Sequence, residues 1–383
     1  MPSDVILVLE YRLGEGGLLR RVEAVCRLTQ TRSQLVWAFM LTWVPISLLS
    51  VAREFATGQR EPLFYHAAMH VRLLVAVPML LVLDHVFPKV CRHVLELLMQ
   101  HGFVPPESQP RFECALRAAV RLTDSMLPEV LLALLGATVG VFSLLGHIPV
   151  NGFVLHAPLT PAQTWYALVD VPLFQFLLWR SLWRWLVWMR VLVSLSRLKL
   201  ALVPTHPDRC GGIAFLRLPS VDYCAMLLFA ATSVLCTEWG SRIDLGGSLS
   251  SFKPLLALFG TLATLVAFGP LLLFSPLLYK ARREGLIEVS GMAAEAGRRF
   301  HRRWIEGRGC GSRAFGLEVQ GLAATVSSYR ETVEKMRVVM FDKRDMIKLL
   351  VATLLPLVPV MVTRVPKEDW LQLLSLFTGG WVG

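Results

Sequence analysis

The sequence predicts an all-α protein: a polytopic membrane helix bundle of about seven transmembrane helices with a cytoplasmic helical hairpin. Three observations carry that prediction. Seven apolar runs lie near 34–52, 71–87, 128–147, 165–187, 220–238, 254–279 and 346–363, each low in charge. Runs of about 17 or more apolar residues, rising 1.5 Å each, cross the roughly 30 Å of a bilayer core as helices, because lipid leaves backbone groups no other partner. Lys and Arg alternate between the two sets of connecting segments. The longest polar stretch, 280–345, has helical periodicity of its own.

Taken in order, residues 1–33 form an amphipathic N-terminal segment. The patch Val5–Leu9 is too short for a signal core, and Asp4, Glu10, Glu15 and Glu23 surround it. Arg12, Arg20, Arg21, Arg27 and Arg32 precede the first span and hold the N-terminus inside. Residues 34–279 then supply six spans with cytoplasmic loops 88–127 and 188–219. Those loops carry Lys89, Arg92, Arg111, Arg117 and Arg121, then Arg190, Arg197, Lys199, Arg209 and Arg217. The opposite loop 148–164 has neither Lys nor Arg. Within the first loop, Phe112, Leu116 and Val120 share a face beside Arg117 and Arg121, a pattern for a helix on the anionic inner leaflet. The 280–345 hairpin is expected to be two antiparallel helices broken at Gly307–Gly311. Residues 346–383 hold the last span and tail, which ends outside.

Composition excludes several function classes. The chain is 54 % hydrophobic, 17 % charged and carries a net charge of +11. Soluble domains average about 25 % charged residues. The basic excess flanks the apolar runs, which points to lipid headgroups and topology and away from nucleic acid. Seven Cys are scattered singly, with no CxxC and no metal-ligand spacing to His, so no metal and no cofactor are expected. No nucleophile elbow, HExxH, P-loop or GxGxxG is present, and the expectation is a protein that is not an enzyme. No internal repeat is apparent that would support an inverted-repeat transporter.

Two places stand out. The fourth span reads DVPLFQFLLWRSLWRWLVWMR and sets Arg180 and Arg184 four residues apart on one face. Charge at that depth must snorkel, pair or line a wet cavity. Asp84, Glu129 and Asp170 are the acidic partners within reach. Asp84–His85 closes the second span, where a solvated helix end is the plain reading and a proton relay the sharper one. The other place is PTHPDRCGGIAFL, Pro204–Leu216, between the fourth and fifth spans. Pro and Gly make it a rigid turn. His206, Asp208 and Arg209 on that turn offer three hydrogen-bonding side chains for an anion or a subunit.

The HPDR loop, FSPLLYKARREGL (Phe274–Leu286) and VEKMRVVMFDKRD (Val333–Asp345) together resemble a set of bacterial multi-pass inner-membrane proteins. These share PTHPDRxGGxxFL, FSPLLxxARREGL and MRxVxFDxR motifs over about 200–360 of this numbering. Cys210 departs from the small residue usual there. The resemblance implies a bacterial inner membrane and the same topology, and supplies no activity and no catalytic residues. The expectations for activity are therefore three. The first is a homo-oligomeric pore or transport-like assembly with Arg180 and Arg184 in a polar interior, possible as an effector in a stress or defence system. The second is a non-conducting scaffold or sensor whose 280–345 segment recruits a cytoplasmic protein. The third is an inner-leaflet lipid enzyme using His206 and Asp208.

Overall fold

The computed structural model describes residues 30–147, 158–244, 253–306, 313–356 and 358, all in helices, turns and loops without strands among them. Most of the N-terminal segment, the tip of the 148–164 loop, the hairpin break and most of the C-terminal tail lie outside the described residues. The helices are α1 Thr31–Leu41 and α2 Trp43–Thr57, joined at Thr42, then α3 Ala67–Gln100, α4 Gln109–Asp124 and α5 Met126–Leu144. A continuous helix α6 follows, made of Pro161–Trp165, Tyr166–Asp170 and Val171–Ser196. After it come α7 Arg217–Asp244, α8 Lys253–Leu272, α9 Ser275–Trp304, α10 Arg313–Glu334 and α11 Lys343–Leu354.

Four of these segments are long and apolar enough to cross a membrane: Thr31–Thr57, Ala67–Gln100, Met126–Leu144 and Ala214–Cys236. A fifth is formed if Leu258–Leu272 and Ser275–Arg299, bent by 41° at Pro270–Phe274, make one span. The count is thus four or five where the sequence predicts seven. Of the remaining two, α6 is a full-length helix whose two Arg lower its hydropathy, and α11 is described as helix only to Leu354. The second helix also runs well past the expected 71–87 and reaches Gln100 through an internal Pro88. Asp84 and His85 therefore sit inside a helix and are buried, not at a solvated end.

α3 and α6 share a backbone plan that their sequences barely show. Each has a five-residue α-helical start, a five-residue π turn (Arg72–Ala76, Tyr166–Asp170), then Val-Pro opening a long helix. Proline lacks an N–H, so the backbone preceding it gives up a regular helical bond, and the π turn absorbs the mismatch. The shared residues are Leu74, Val75, Val77 and Pro78 in α3 and Leu168, Val169, Val171 and Pro172 in α6. The repeat is direct, not inverted. In its frame Tyr166 stands where α3 has Arg72, and Asp170 where α3 has Ala76. The start of α6 is set by a capping box, in which Gln163 N donates to Thr160 Oγ1 at 3.2 Å and Thr160 N to Gln163 Oε1 at 3.3 Å.

α5 packs on α6 at backbone distance. Gly136 and Gly140, one turn apart, face the π turn and Pro172, so that a Cβ on Gly140 would lie 2.4 Å from Ala167 O. Small residues at this spacing let two membrane helices touch backbones, replacing hydrophobic drive with van der Waals contact. The core runs as stacked clusters along α3 and α6: Ile46, Met69 and Tyr166 at one end, Leu80, Phe174 and Leu177 in the middle, and Leu95, Leu98, Trp188 and Leu192 toward the basic loops. α4 buries Phe112, Leu116 and Ala119 against α6. Its apolar face is thus taken by protein, not presented to a leaflet as expected.

α1–α2 and α5 instead expose apolar faces, with Trp37, Leu48, Phe55, Leu127, Leu131 and Leu134 all open. α9 and α10 pair through Val289, Val326 and Val333. Gly140→Leu is expected to destabilise the bundle by about 1–3 kcal/mol through overpacking of the α5–α6 seam. Gly260→Leu, at a position with open space, serves as the control. Thermal unfolding in detergent followed by tryptophan fluorescence measures both.

Candidate functional site

Four charged side chains meet inside the bundle. Asp84 comes from α3, Glu129 from the first turn of α5, and Arg180 and Arg184 from α6, each with no more than 4 % of its surface exposed. Arg180 donates through Nη1 to Asp84 Oδ1 and through Nε to Glu129 Oε1 at 2.8 Å. Arg184 Nη1 donates to the same Asp84 Oδ1 at 2.5 Å and to the Asp84 carbonyl at 2.9 Å. The i,i+4 spacing on α6 aims both guanidinium groups at one carboxylate. Two positive and two negative charges balance, which is the condition for holding ions away from water. Next to the cluster, Phe87 packs on Tyr223 at 4.0 Å between ring centres, and Tyr223 donates to Ser181 O at 2.7 Å.

The structure thus gives Arg180 two of the three acidic partners the sequence offers. Asp170 is elsewhere. It lies at the end of the α6 π turn, 0 % exposed, and among the described residues neither of its carboxylate oxygens has a hydrogen-bond partner. The charge that reaches it is Arg72, 5 % exposed, on the π turn of α3. Arg72 donates through Nη1 to Tyr166 Oη at 3.0 Å and lies over the Phe174 ring at 4.9 Å, while its Nε has no partner. Arg72 was open to view as a basic residue just inside the second apolar run. A further buried group, Glu61, ties the ends of three elements together: its Oε2 accepts from Arg53 Nη1 at 2.6 Å, and its Oε1 from Gln163 Nε2 at 3.0 Å. The signal for it was slight, one of two acids, with Glu54, in a segment with Arg53 and Arg60.

The HPDR loop is built around Asp208. Its Oδ1 accepts from the backbone N–H of Cys210 at 2.8 Å and of Gly212 at 3.0 Å, and its Oδ2 from Ala214 N at 3.0 Å. His206 Nδ1 lies 2.9 Å from Oδ1. Burial pushes the Asp208 carboxyl up, but the three backbone donors and His206 outweigh it and hold it below the usual carboxylate range. Arg209 takes φ 57°, rare for a residue with a Cβ, and its carbonyl accepts from Arg337 N at 2.7 Å.

The three motif segments behind the family resemblance converge on this loop. Pro204 lies against Gly285 so closely that a Cβ there would come within 2.8 Å, and Met336 reaches Gly211. Cys210 Sγ sits 3.8 Å from Val339 O, and Arg217 pairs with Asp345 at 2.7 Å. The loop is therefore a clamp that joins α7, α9 and the approach to α11. Both Asp208 oxygens are thus taken by the loop backbone, and no group of His, Cys, Asp or Glu among the described residues is arranged to hold a metal.

Comparison of the chain with protein-family models, with characterised proteins and with solved structures finds no match.

Two expectations follow from this geometry. Because Asp84 Oδ1 meets both guanidinium groups, Asp84→Ala is expected to cost about 3–5 kcal/mol of stability, and more than Glu129→Ala. Unfolding temperatures in detergent report the order. Asp208→Asn is expected to loosen the clamp by about 2 kcal/mol, since a charged acceptor is exchanged for a neutral one. Since the folded Asp208 carboxyl is held below its unfolded value, its contribution is present above about pH 4 and lost as pH falls through the folded value. Wild type and Asp208→Asn should therefore converge in stability toward low pH, as read by unfolding at stepped pH.

Proposed function

We propose that the chain is an integral membrane protein of transport type, in which protons move with the help of charged side chains enclosed by the bundle, and not an open pore. The observation that carries this reading is the presence of buried charge at two levels of one helix pair. Arg72 and Asp170 form the upper level and Asp84, Glu129, Arg180 and Arg184 the lower. Arg72 and Asp84 are about 18 Å apart along α3 at 1.5 Å per residue. Ionisable residues inside membrane spans are expensive and mark ion or proton pathways in pumps and transporters. π turns, present at the upper level in both helices, recur at functional sites. A pore lined by Arg180 has little support, because Arg180 is 1 % exposed and held by two carboxylates.

In this reading the basic loops face the cytoplasm of a bacterial cell, the bundle sits in the inner membrane with its N-terminus inside, and anionic lipid surrounds it. The positive flanks of the apolar helices support that placement. Assembly as a homo-oligomer belongs to the same proposal. A scaffold role has one observation in its favour: the α9–α10 hairpin leaves Tyr279, Ile287, Met292 and Tyr329 exposed, a surface suited to a protein partner. The lipid-enzyme reading loses its basis in Asp208, whose oxygens are committed to the loop backbone.

Proteoliposomes with an imposed pH gradient test the proposal. Wild-type protein is expected to dissipate the gradient faster than empty vesicles. Equal rates for wild-type and empty vesicles would remove the transport reading and leave the scaffold.

A further inference from the structure

The upper charged pair is arranged differently from the lower one. In the lower cluster every carboxylate meets a guanidinium directly. In the upper, Arg72 and Asp170 are both buried and within reach of one another's field, yet they make no ion pair within 4 Å among the described residues. Arg72 is held aside by Tyr166 Oη and the Phe174 ring, and its Nε and both Asp170 oxygens are left without partners. Three buried polar atoms without partners at one place call for a specific cause, since such groups are nearly always satisfied.

The geometry points to Asp170 as a proton-binding site with Arg72 as its switch. When Asp170 carries the proton, the carboxyl is neutral and Arg72 rests on Tyr166 and Phe174, the arrangement seen. When the Oδ–H bond breaks and the proton leaves to water, the carboxylate draws the Arg72 guanidinium across to form a direct ion pair. One side chain on α3 thereby changes partner on α6, and the two π turns, already off the regular helical bonding pattern, are where the backbone can follow. This deepens the transport reading: the proton is the species bound, and the upper level is where it is bound.

The surroundings leave Asp170 with few alternatives. Tyr166 lies on its own helix turn. α5 packs on that turn through Gly140, with Ser143 one turn on donating to Val139 O. His70, on α3, is fixed by Trp43 Nε1 at Nδ1 and by Phe64 O at Nε2. Glu61 and Arg53 are engaged with each other and Gln163. α7, which packs on the π turn of α3, brings the uncharged Thr232 and Ser233 to its buried face. Among the described residues Arg72 is the charge that acts on Asp170.

Infrared difference spectroscopy of the full chain in lipid, stepped in pH, tests the site without needing flux. A protonated-carboxyl C=O band that titrates in wild type is expected to vanish in Asp170→Asn and to persist in Glu61→Gln. Tyr166→Phe, which removes the hydroxyl that holds Arg72 aside, is expected to move the midpoint of that band while leaving its amplitude intact. This variant keeps the carboxylate and guards against a misfolded Asp170→Asn. A band unchanged in Asp170→Asn, or a midpoint unmoved in Tyr166→Phe, overturns the assignment. The pH-gradient assay separates the two proposals: a titrating Asp170 without flux keeps the site and ends the transport reading, and flux undiminished in Asp170→Asn does the reverse.

Discussion

Two arginines in the lower half of the bundle are held by one carboxylate oxygen. Asp84 Oδ1 receives Arg180 and Arg184 together, and Arg180 carries the link on to Glu129, so α3, α5 and α6 are joined through a single chain of charge. Apolar packing alone orients membrane helices weakly, because lipid tails are as apolar as Leu. A buried ion network is directional where that packing is not. It admits only the rotation of α6 that turns Arg180 and Arg184 inward, and that rotation in turn turns Trp179 and Leu186 outward.

The buried stripe continues along both helices through the π turns. Below Val171 the inward stripe of α6 holds Phe174, Leu177, Arg180, Ser181 and Arg184; above it the inward residues are Tyr166, Ala167 and Asp170. α3 in the same way turns Arg72, Leu73 and Ala76 inward above the stripe Leu80, Leu83, Asp84 and Phe87. Gly136 and Gly140 of α5 lie against the π turn of α6 and Pro172, where a side chain would strike the backbone. The π turns, the prolines that follow them and the glycine pair are thus one packing device at the upper charged level.

That device explains what could be read from the residues alone. Arg180 and its need for Asp84 or Glu129 were legible, because the cost of charge at depth and i,i+4 geometry are both local rules. Asp170 was offered as a third acidic partner, but it lies ten residues before Arg180 on the same helix, about 15 Å along the axis, and so belongs to another level. The shared backbone plan of α3 and α6 rests on four matching residues in each, too few to announce a repeat. α4 has the amphipathic pattern of a surface-lying helix, and only tertiary contact shows that α6 already covers its apolar face. The HPDR loop was legible as a rigid turn from its Pro and Gly. That Asp208 is the centre of the turn depends on backbone N–H groups up to six residues away, which no spacing rule specifies.

Charge balance links these parts. The lower cluster holds Asp84 and Glu129 against Arg180 and Arg184, the upper level Asp170 against Arg72, and the far end Glu61 against Arg53. Every buried Asp, Glu and Arg of the described bundle therefore has one of the opposite type at its own level. A neutral interior can reside in a low-dielectric medium, whereas a single unmatched ion there is costly. The upper level is the exception, since its charges balance only when Asp170 is ionised, and with the proton on Asp170 the Arg72 guanidinium is left with Tyr166 Oη and the Phe174 ring. A proton on Asp170 would change the net charge of the interior by one unit at the place where the backbone is least regular. The lower network, joined by direct ion pairs, would hold the helices in register while the upper pair changes partners.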